Sequence, residues 1–133
     1  MKYTVSLIFL LLALSSIIAQ GLTTADYKKE EIYIEMRDGV KLFTTIYSPK
    51  TPKGKYPVLM IRTCYSVAPY GKDTMPDKLM HNPDLVASGY IFVKQDVRGR
   101  WMSEGQFENT KPPYSWKNTK ATDEVTDSYD TYD

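Results

Sequence analysis

The sequence predicts an α/β fold that opens with an antiparallel hairpin and continues with parallel strands. Polar and apolar residues alternate over residues 31–36, as they do in a strand with one buried face. Two later runs, at 56–61 and 90–94, are mainly apolar, which is typical of strands covered on both faces. A short helical segment separates those runs, so we expect a β-helix-β crossover and a parallel strand pair.

The hairpin is predicted from the turn between its two strands. Arg37-Asp38-Gly39 follows the first strand, and an Asp-Gly step favours the tight turn of a hairpin. Residues 40–47 then form the returning strand, before a segment with Pro and Gly breaks the chain.

A long loop and a short helix follow the third strand. The loop extends from Ser66 to Asp84 and contains several residues that interrupt regular structure: Pro69, Gly71, Pro76 and Pro83. A loop of this length usually has a function or covers something. Residues 84–89 are predicted to be the last turns of a helix that ends at Gly89, and the strand at 90–94 comes next.

The last residues are predicted to begin a helix. A polar loop extends from Gly99 to about Lys120, and acidic residues then precede an apolar pattern of helical spacing at Val125, Tyr129 and Tyr132. No Gly or Asn cap and no further strand follow, so we expect the chain to stop inside a domain.

The first residues have the pattern of an export signal. Lys2 precedes an uncharged apolar run at 5–14, and small residues lead to Ala19. We expect a signal peptide over residues 1–19, with cleavage as late as residue 25 left open, and a secreted or periplasmic product. The alternative is an uncleaved membrane anchor, since the uncharged stretch continues to Ala25.

Charge and cysteine content exclude several classes of function. The net charge is +1 and the charges are dispersed, which gives no electrostatic support for nucleic-acid binding. Cys64 is the only cysteine, so there is no internal disulfide or cysteine metal cluster, and a small, semi-buried residue is its simplest interpretation. We expect no cofactor and no metal. Asp123, Asp127 and Asp130 lack the spacing of a calcium loop, and acids at a helix start explain them.

Polar residues follow each of the two predicted parallel strands. Tyr65 comes directly after the third strand, and Asp96, Arg98 and Gly99 follow the next one. A phenol at a strand end can donate a hydrogen bond to an oxyanion. Asp96 and Arg98 can form a charge-assisted contact that braces the loop, or can face a substrate.

Three motifs occur in an informative order. They are Met36–Leu42 (M-R-D-G-V-K-L), Arg62–Tyr65 (R-T-C-Y) and Gly89–Gly105, which contains Q-D-V-R-G and S-E-G. Together they resemble the serine hydrolases grouped as cocaine esterase, α-amino-acid ester hydrolase and X-Pro dipeptidyl-peptidase. The resemblance implies that residues 26–133 are the N-terminal part of an X-Pro dipeptidyl-peptidase-like α/β-hydrolase domain.

The resemblance also implies a reaction and its residues. The complete protein would cleave a small-molecule ester or amide, or an Xaa-Pro peptide, by serine-dependent acyl transfer, with the catalytic Ser, Asp and His beyond Asp133. Tyr65 matches the tyrosine that serves the oxyanion hole, and Asp96, Arg98 and Gly99 match residues that support the site. Cys64 replaces the usual proline, which frees the backbone before Tyr65, and Ser66 replaces a common aspartate.

The only histidine is not expected to be catalytic. Ser66, Asp73 or Asp77, and His81 follow the order of a triad, but they crowd one loop and precede the positions where an α/β hydrolase has these groups. A surface loop histidine is therefore the preferred interpretation. Ser103 is not a nucleophile candidate, because it lacks the flanking glycines of G-x-S-x-G, and a loop-shaping role is expected for Ser103-Glu104-Gly105.

A second class of function stays open at this point. The chain can be an exported, non-catalytic β-rich binding domain, or an inactive fragment. The binding domain would contact its ligand through loop aromatics: Tyr70, Trp101, Tyr114 and Trp116. Its weakness is that a small free-standing domain leaves two buried-type strands uncovered.

Overall fold

The computed structural model describes residues 21–109 and 122–133, so the expected signal peptide lies outside the described residues. One mixed sheet contains four strands: β1 (Tyr27–Glu35), β2 (Lys41–Pro49), β3 (Val58–Thr63) and β4 (Ile91–Asp96). A 3-10 turn at Thr24–Asp26 precedes them, and the helices are α1 (Pro83–Ala87) and α2 (Glu124–Tyr132). None of these described helices has the length and apolar character needed to cross a membrane.

The strands lie side by side in the order β1-β2-β4-β3. β2 pairs antiparallel with both β1 and β4, whereas β3 and β4 are parallel. The chain therefore leaves β3, passes through α1 and returns to insert β4 between β3 and the hairpin. The predicted fold class, a hairpin followed by parallel strands joined by a helix, is confirmed.

The hairpin turn is closed by two hydrogen bonds. The Gly39 amide donates to the Met36 carbonyl at 2.8 Å, and the Met36 amide donates to the Val40 carbonyl at 2.8 Å. Gly39 has a φ of +83°, in the left-handed region that favours glycine. Gly39 thus occupies a turn position that a residue with a side chain would adopt only with strain. This explains why the Asp-Gly step predicted the hairpin.

The third strand differs from its prediction. It was expected to be covered on both faces, but its residues are partly exposed and Val58 is 49% exposed. The reason is its place in the sheet, since among the described strands β3 has a neighbour only on the β4 side. β4 lies between two strands and is more deeply buried, with Phe92, Gln95 and Asp96 fully enclosed.

The long loop covers one face of the sheet and contributes to the core. Its Leu79 packs in a buried cluster with residues from the strands and α1: Tyr27, Tyr47, Phe92 and Val86. Lys29 of β1 holds this loop by donating to the carbonyls of Pro69, Gly71 and Thr74. The prediction that this loop covers something is confirmed.

The opposite face of the sheet contacts α2 through polar groups. Asp123 caps the helix, because its carboxylate accepts from the Thr126 amide at 2.7 Å. Thr131 of α2 hydrogen-bonds with Gln95 of β4. The residues that predicted the helix by their spacing are exposed instead: Val125, Tyr129 and Tyr132. The apolar spacing identified the helix, but its polar side faces the sheet.

Candidate active site at the strand ends

Tyr65 lies just past the carboxyl end of β3 and is 85% exposed. Its amide donates to Oγ1 of Thr63, the last residue of the strand, at 3.0 Å. No described residue hydrogen-bonds to the Tyr65 hydroxyl. The backbone of Tyr65 is therefore attached to the sheet, while its phenol is available to a ligand.

The peptide before Tyr65 is held from the loop after β4. The Cys64 carbonyl accepts from Nε1 of Trp101 at 2.9 Å and from Nε of Arg100 at 3.3 Å. Two donors thus restrict the backbone at the position where the resembled motif has a proline. Cys64 itself is a partly buried free thiol, as its simplest interpretation predicted.

The residues after Tyr65 are held by Asp96. Oδ1 of this buried carboxylate accepts from the Val67 amide at 2.9 Å, and Oδ2 accepts from the Tyr70 hydroxyl at 2.9 Å. The Tyr70 hydroxyl also bonds to Ser66 Oγ at 2.9 Å, and Ser66 has a φ of +90°. Tyr65 consequently lies between two fixed segments, one on each side along the chain.

Ser103 and Glu104 attach the loop after β4 to the start of β2. Ser103 Oγ accepts from the Phe43 amide at 2.8 Å and donates to the Asp96 carbonyl at 2.6 Å. The Glu104 amide donates to the Lys41 carbonyl at 2.9 Å, and its carboxylate accepts from the Lys41 amide at 3.0 Å. These bonds give the S-E-G motif the loop-shaping position expected from the sequence.

Gly99 allows this loop to close on itself. It has a φ of +68°, and a Cβ atom there would lie 2.1 Å from the Phe107 nitrogen. Since that neighbour is backbone, a side chain at 99 could fit only if the loop moved. Gly99 therefore occupies a turn that a side chain would block.

Asp96 and Arg98 do not pair with each other, contrary to one of the two arrangements considered from the sequence. The chain turns after β4, with the Arg100 amide donating to the Val97 carbonyl at 3.0 Å. Asp96 consequently contacts the long loop on one side of the sheet, whereas Arg98 contacts Asp38 and Asp127 on the other. Each residue braces a different segment, and their support of a catalytic site stays a prediction.

Arg98 joins the hairpin turn to α2. Its guanidinium donates to Asp38 at 2.7 Å and to Asp127 at 2.6 Å. Although burial lowers the pKa of Arg98, the hydrogen bonds that it donates to these two carboxylates raise that pKa above its ordinary value. Burial raises the pKa of Asp38, but the hydrogen bonds from Arg98 outweigh this effect and bring that pKa below its ordinary value.

The acids of α2 have roles that sequence reasoning missed. Asp123 caps the helix and Asp127 lies in its first turn, as expected of helix-start acids. Asp127 is buried between Arg98 and Arg62, and Asp130 forms a bidentate pair with Arg37. The spacing of 127 and 130 places both acids on one helix face. Arginines recur near the strand ends, and the recurrence of acids on one face of this helix was the sequence signal that could have indicated these ion pairs.

Other candidate residues do not assemble into a catalytic centre within the described ranges. His81 is exposed, and Ser66 bonds with Tyr70 and the Ala68 amide rather than with a histidine. In residues 21–109 and 122–133, no three His, Cys, Asp or Glu side chains are grouped so as to hold a metal ion.

The aromatic residues that the binding-domain hypothesis named differ in their surroundings. The Tyr70 hydroxyl donates to Asp96 within the protein, whereas Trp101 is 59% exposed. Tyr114 and Trp116 lie outside the described residues.

The mixed sheet and its crossover helix are those of the N-terminal part of an α/β-hydrolase fold. The model of the X-Pro dipeptidyl-peptidase family (S15 family) matches residues 38–133, and the chain therefore belongs to this family of esterase and peptidase hydrolases.

Relatives share the sequence and the fold. Cocaine esterase from Rhodococcus sp. (strain MB1 Bresler) is 35% identical over 77 residues, covering 57% of this chain and 13% of that protein. An aminopeptidase from the marine sediment archaeon Thaumarchaeota archaeon is 38% identical with a TM-score of 0.62, covering 80% of this chain and 18% of that one. An α-amino acid ester hydrolase is 35% identical with a TM-score of 0.63, covering 87% of this chain and 20% of that one. The chain thus spans no more than 20% of these relatives' lengths.

Proposed function

We propose that this chain is the N-terminal portion of an exported serine hydrolase that cleaves ester or amide bonds, Xaa-Pro peptides included, by acyl transfer. The observation that carries the proposal is the exposed Tyr65 phenol at the carboxyl end of β3, on a backbone held by Thr63 and Trp101. Membership of an esterase and peptidase family supports the reaction class.

Tyr65 acts as an oxyanion donor in this proposal. A serine that follows later in the longer protein attacks the substrate carbonyl, and the carbonyl oxygen becomes negative in the tetrahedral intermediate. The Tyr65 hydroxyl donates a hydrogen bond to that oxygen and keeps its own proton. Collapse of the intermediate releases the alcohol or amine, and water then hydrolyses the acyl-enzyme.

Preorganisation is the second part of the proposal. An oxyanion donor is effective when its position is fixed before the reaction, because no reorganisation is then needed as charge develops. The donors to the Cys64 carbonyl and the Asp96 carboxylate that binds the Val67 amide supply that fixation on either side of Tyr65. Asp96 is thus a positioning residue that acts through the loop.

Export is proposed from the sequence of residues 1–19. The basic start, apolar run and small-residue exit are the features of a signal peptide. The proposed hydrolase therefore acts on substrates outside the cytoplasm.

The test of the reaction is Tyr65→Phe in the longer enzyme. The change removes one oxygen, so kcat should fall by about two to three orders of magnitude while KM changes little. Tyr33→Phe is the matched control, because Tyr33 is also partly exposed but lies on the edge strand β1. Full turnover in Tyr65→Phe, or an equal loss in Tyr33→Phe, would overturn the proposed role.

A further inference from the structure

A cavity of about 340 Å³ lies beneath the long loop, on the side of the sheet opposite α2. Its floor is formed by β3 and β4, with Ile61 and Thr63 beside Lys94. Its walls come from the turn at 66–68 and from the loop segment at 78–81. The volume is within the range of small-molecule sites, which begins at about 300 Å³.

The charged groups around this cavity are all basic. Lys94, Lys78 and His81 line it, and none of the lining residues is acidic. Neither lysine forms an ion pair within the described part of the chain. Two acids of the neighbouring strands have other partners, since Asp96 accepts from Val67 and Tyr70, and Glu31 pairs with Lys29.

No described residue accepts a hydrogen bond from the Lys94 ammonium. This ammonium lies 5.4 Å from the centroid of the Tyr47 ring, and burial lowers the pKa of Lys94. A bound anion would supply the hydrogen-bond partner that this ammonium lacks.

The rest of the cavity lining is largely apolar. Ile61 and Val67 lie on one side, and Leu79 and Met80 lie on the other. A fully hydrated inorganic anion would gain nothing from these walls, whereas an organic acid would bury its hydrocarbon part against them.

We propose that this cavity binds a small organic monocarboxylate, with its carboxylate on the Lys94 ammonium and its apolar part against Leu79 and Met80. Lys78, which also lines the cavity, is exposed and attracts the anion. This site goes beyond the proposed hydrolase activity and does not depend on it.

The experiment compares benzoate with its neutral analogue benzamide, titrated into the full chain and followed by NMR. Benzoate should bind about tenfold more tightly, because a charge-assisted hydrogen bond is available only to the carboxylate. Lys94→Met should remove this preference. Lys72 is an exposed lysine of the long loop that does not line the cavity, so Lys72→Met should retain the preference for benzoate.

Circular dichroism checks that Lys94→Met is folded. If it is not, Lys78→Met takes its place, and a severalfold weaker binding of benzoate is expected because that exposed side chain lines the cavity. Equal binding of benzoate and benzamide by the unmodified chain would overturn the proposal. So would a benzoate preference that survives in folded Lys94→Met, or one that Lys72→Met abolishes equally.

Discussion

Asp127 of α2 holds the Arg98 guanidinium through two hydrogen bonds, at 2.6 Å to Nη2 and 3.1 Å to Nε. Both side chains are almost fully enclosed. Arg98 also reaches Asp38 in the hairpin turn, so one arginine connects three segments that are distant in the sequence. Polar contacts of this kind, rather than apolar packing, attach α2 to the sheet.

Asp127→Asn should therefore lower the free energy of unfolding strongly. The change leaves a buried guanidinium without one of its two anionic partners, and breaking such a pair costs about 3 kcal/mol or more. Urea denaturation followed by circular dichroism measures the loss. Asp73→Asn is the control, because Asp73 is exposed in the long loop. A loss no greater than that of the control would show that Arg98 finds sufficient solvation elsewhere.

Gly99→Ala should be much more destabilising than Gly39→Ala. Both glycines have positive φ, which costs an alanine about 1 kcal/mol. At Gly99 the new Cβ would also lie 2.1 Å from the Phe107 nitrogen, whereas a Cβ added at Gly39 would have no atom within 4 Å. We expect an additional loss of about 2 kcal/mol for Gly99→Ala. Equal losses in thermal denaturation would mean that the loop after β4 yields without cost.

Acid should weaken the attachment of α2. The hydrogen bonds from Arg37 hold the pKa of Asp130 below its ordinary value, which is about 3.9 in an unfolded chain. The pair therefore contributes its full stability above that value, and the contribution is lost as the pH falls through the lower folded pKa. Denaturation between pH 7 and pH 2 should show a smaller acid loss for Asp130→Asn than for the unmodified chain. Identical pH profiles would contradict this expectation.

The proposed export gives a defined N-terminus. Expressed in a bacterial host, the chain should appear outside the cytoplasm and begin at Gln20 or, with the later cleavage, at Asp26. Leu11→Arg places a charge in the apolar run and should keep the product inside the cell with its leader attached. Mass spectrometry decides, and a cytoplasmic unmodified product that retains Met1 would exclude a cleaved signal.

The elements that could be predicted are those specified by neighbouring residues. Arg37-Asp38-Gly39 specified a turn, and Gly89 specified a helix end, because the signals are local. The Arg98 contacts with Asp38 and Asp127 join residues 60 and 29 positions apart, and no local pattern encodes which acid an arginine meets. Apolar spacing in α2 did not reveal its buried face, because in this helix the polar side makes the contacts.

The position of Tyr65 just after β3 was predicted from the sequence, but the contacts that hold its backbone were not. Replacement of the usual proline by Cys64 predicted a freer backbone, whereas two donors from the loop after β4 hold that peptide. A substitution in one motif is thus compensated from another, which a motif-by-motif comparison does not detect.

The separation between Arg98 and Asp127 has a consequence for how the chain matures as it is made. The hairpin, β3, β4 and Arg98 are all synthesised before Asp127, which follows 29 residues later. Until residue 127 has been added, Asp38 is the only one of these two acids that Arg98 can meet, and the sheet face that receives α2 lacks the ion pair that holds the helix.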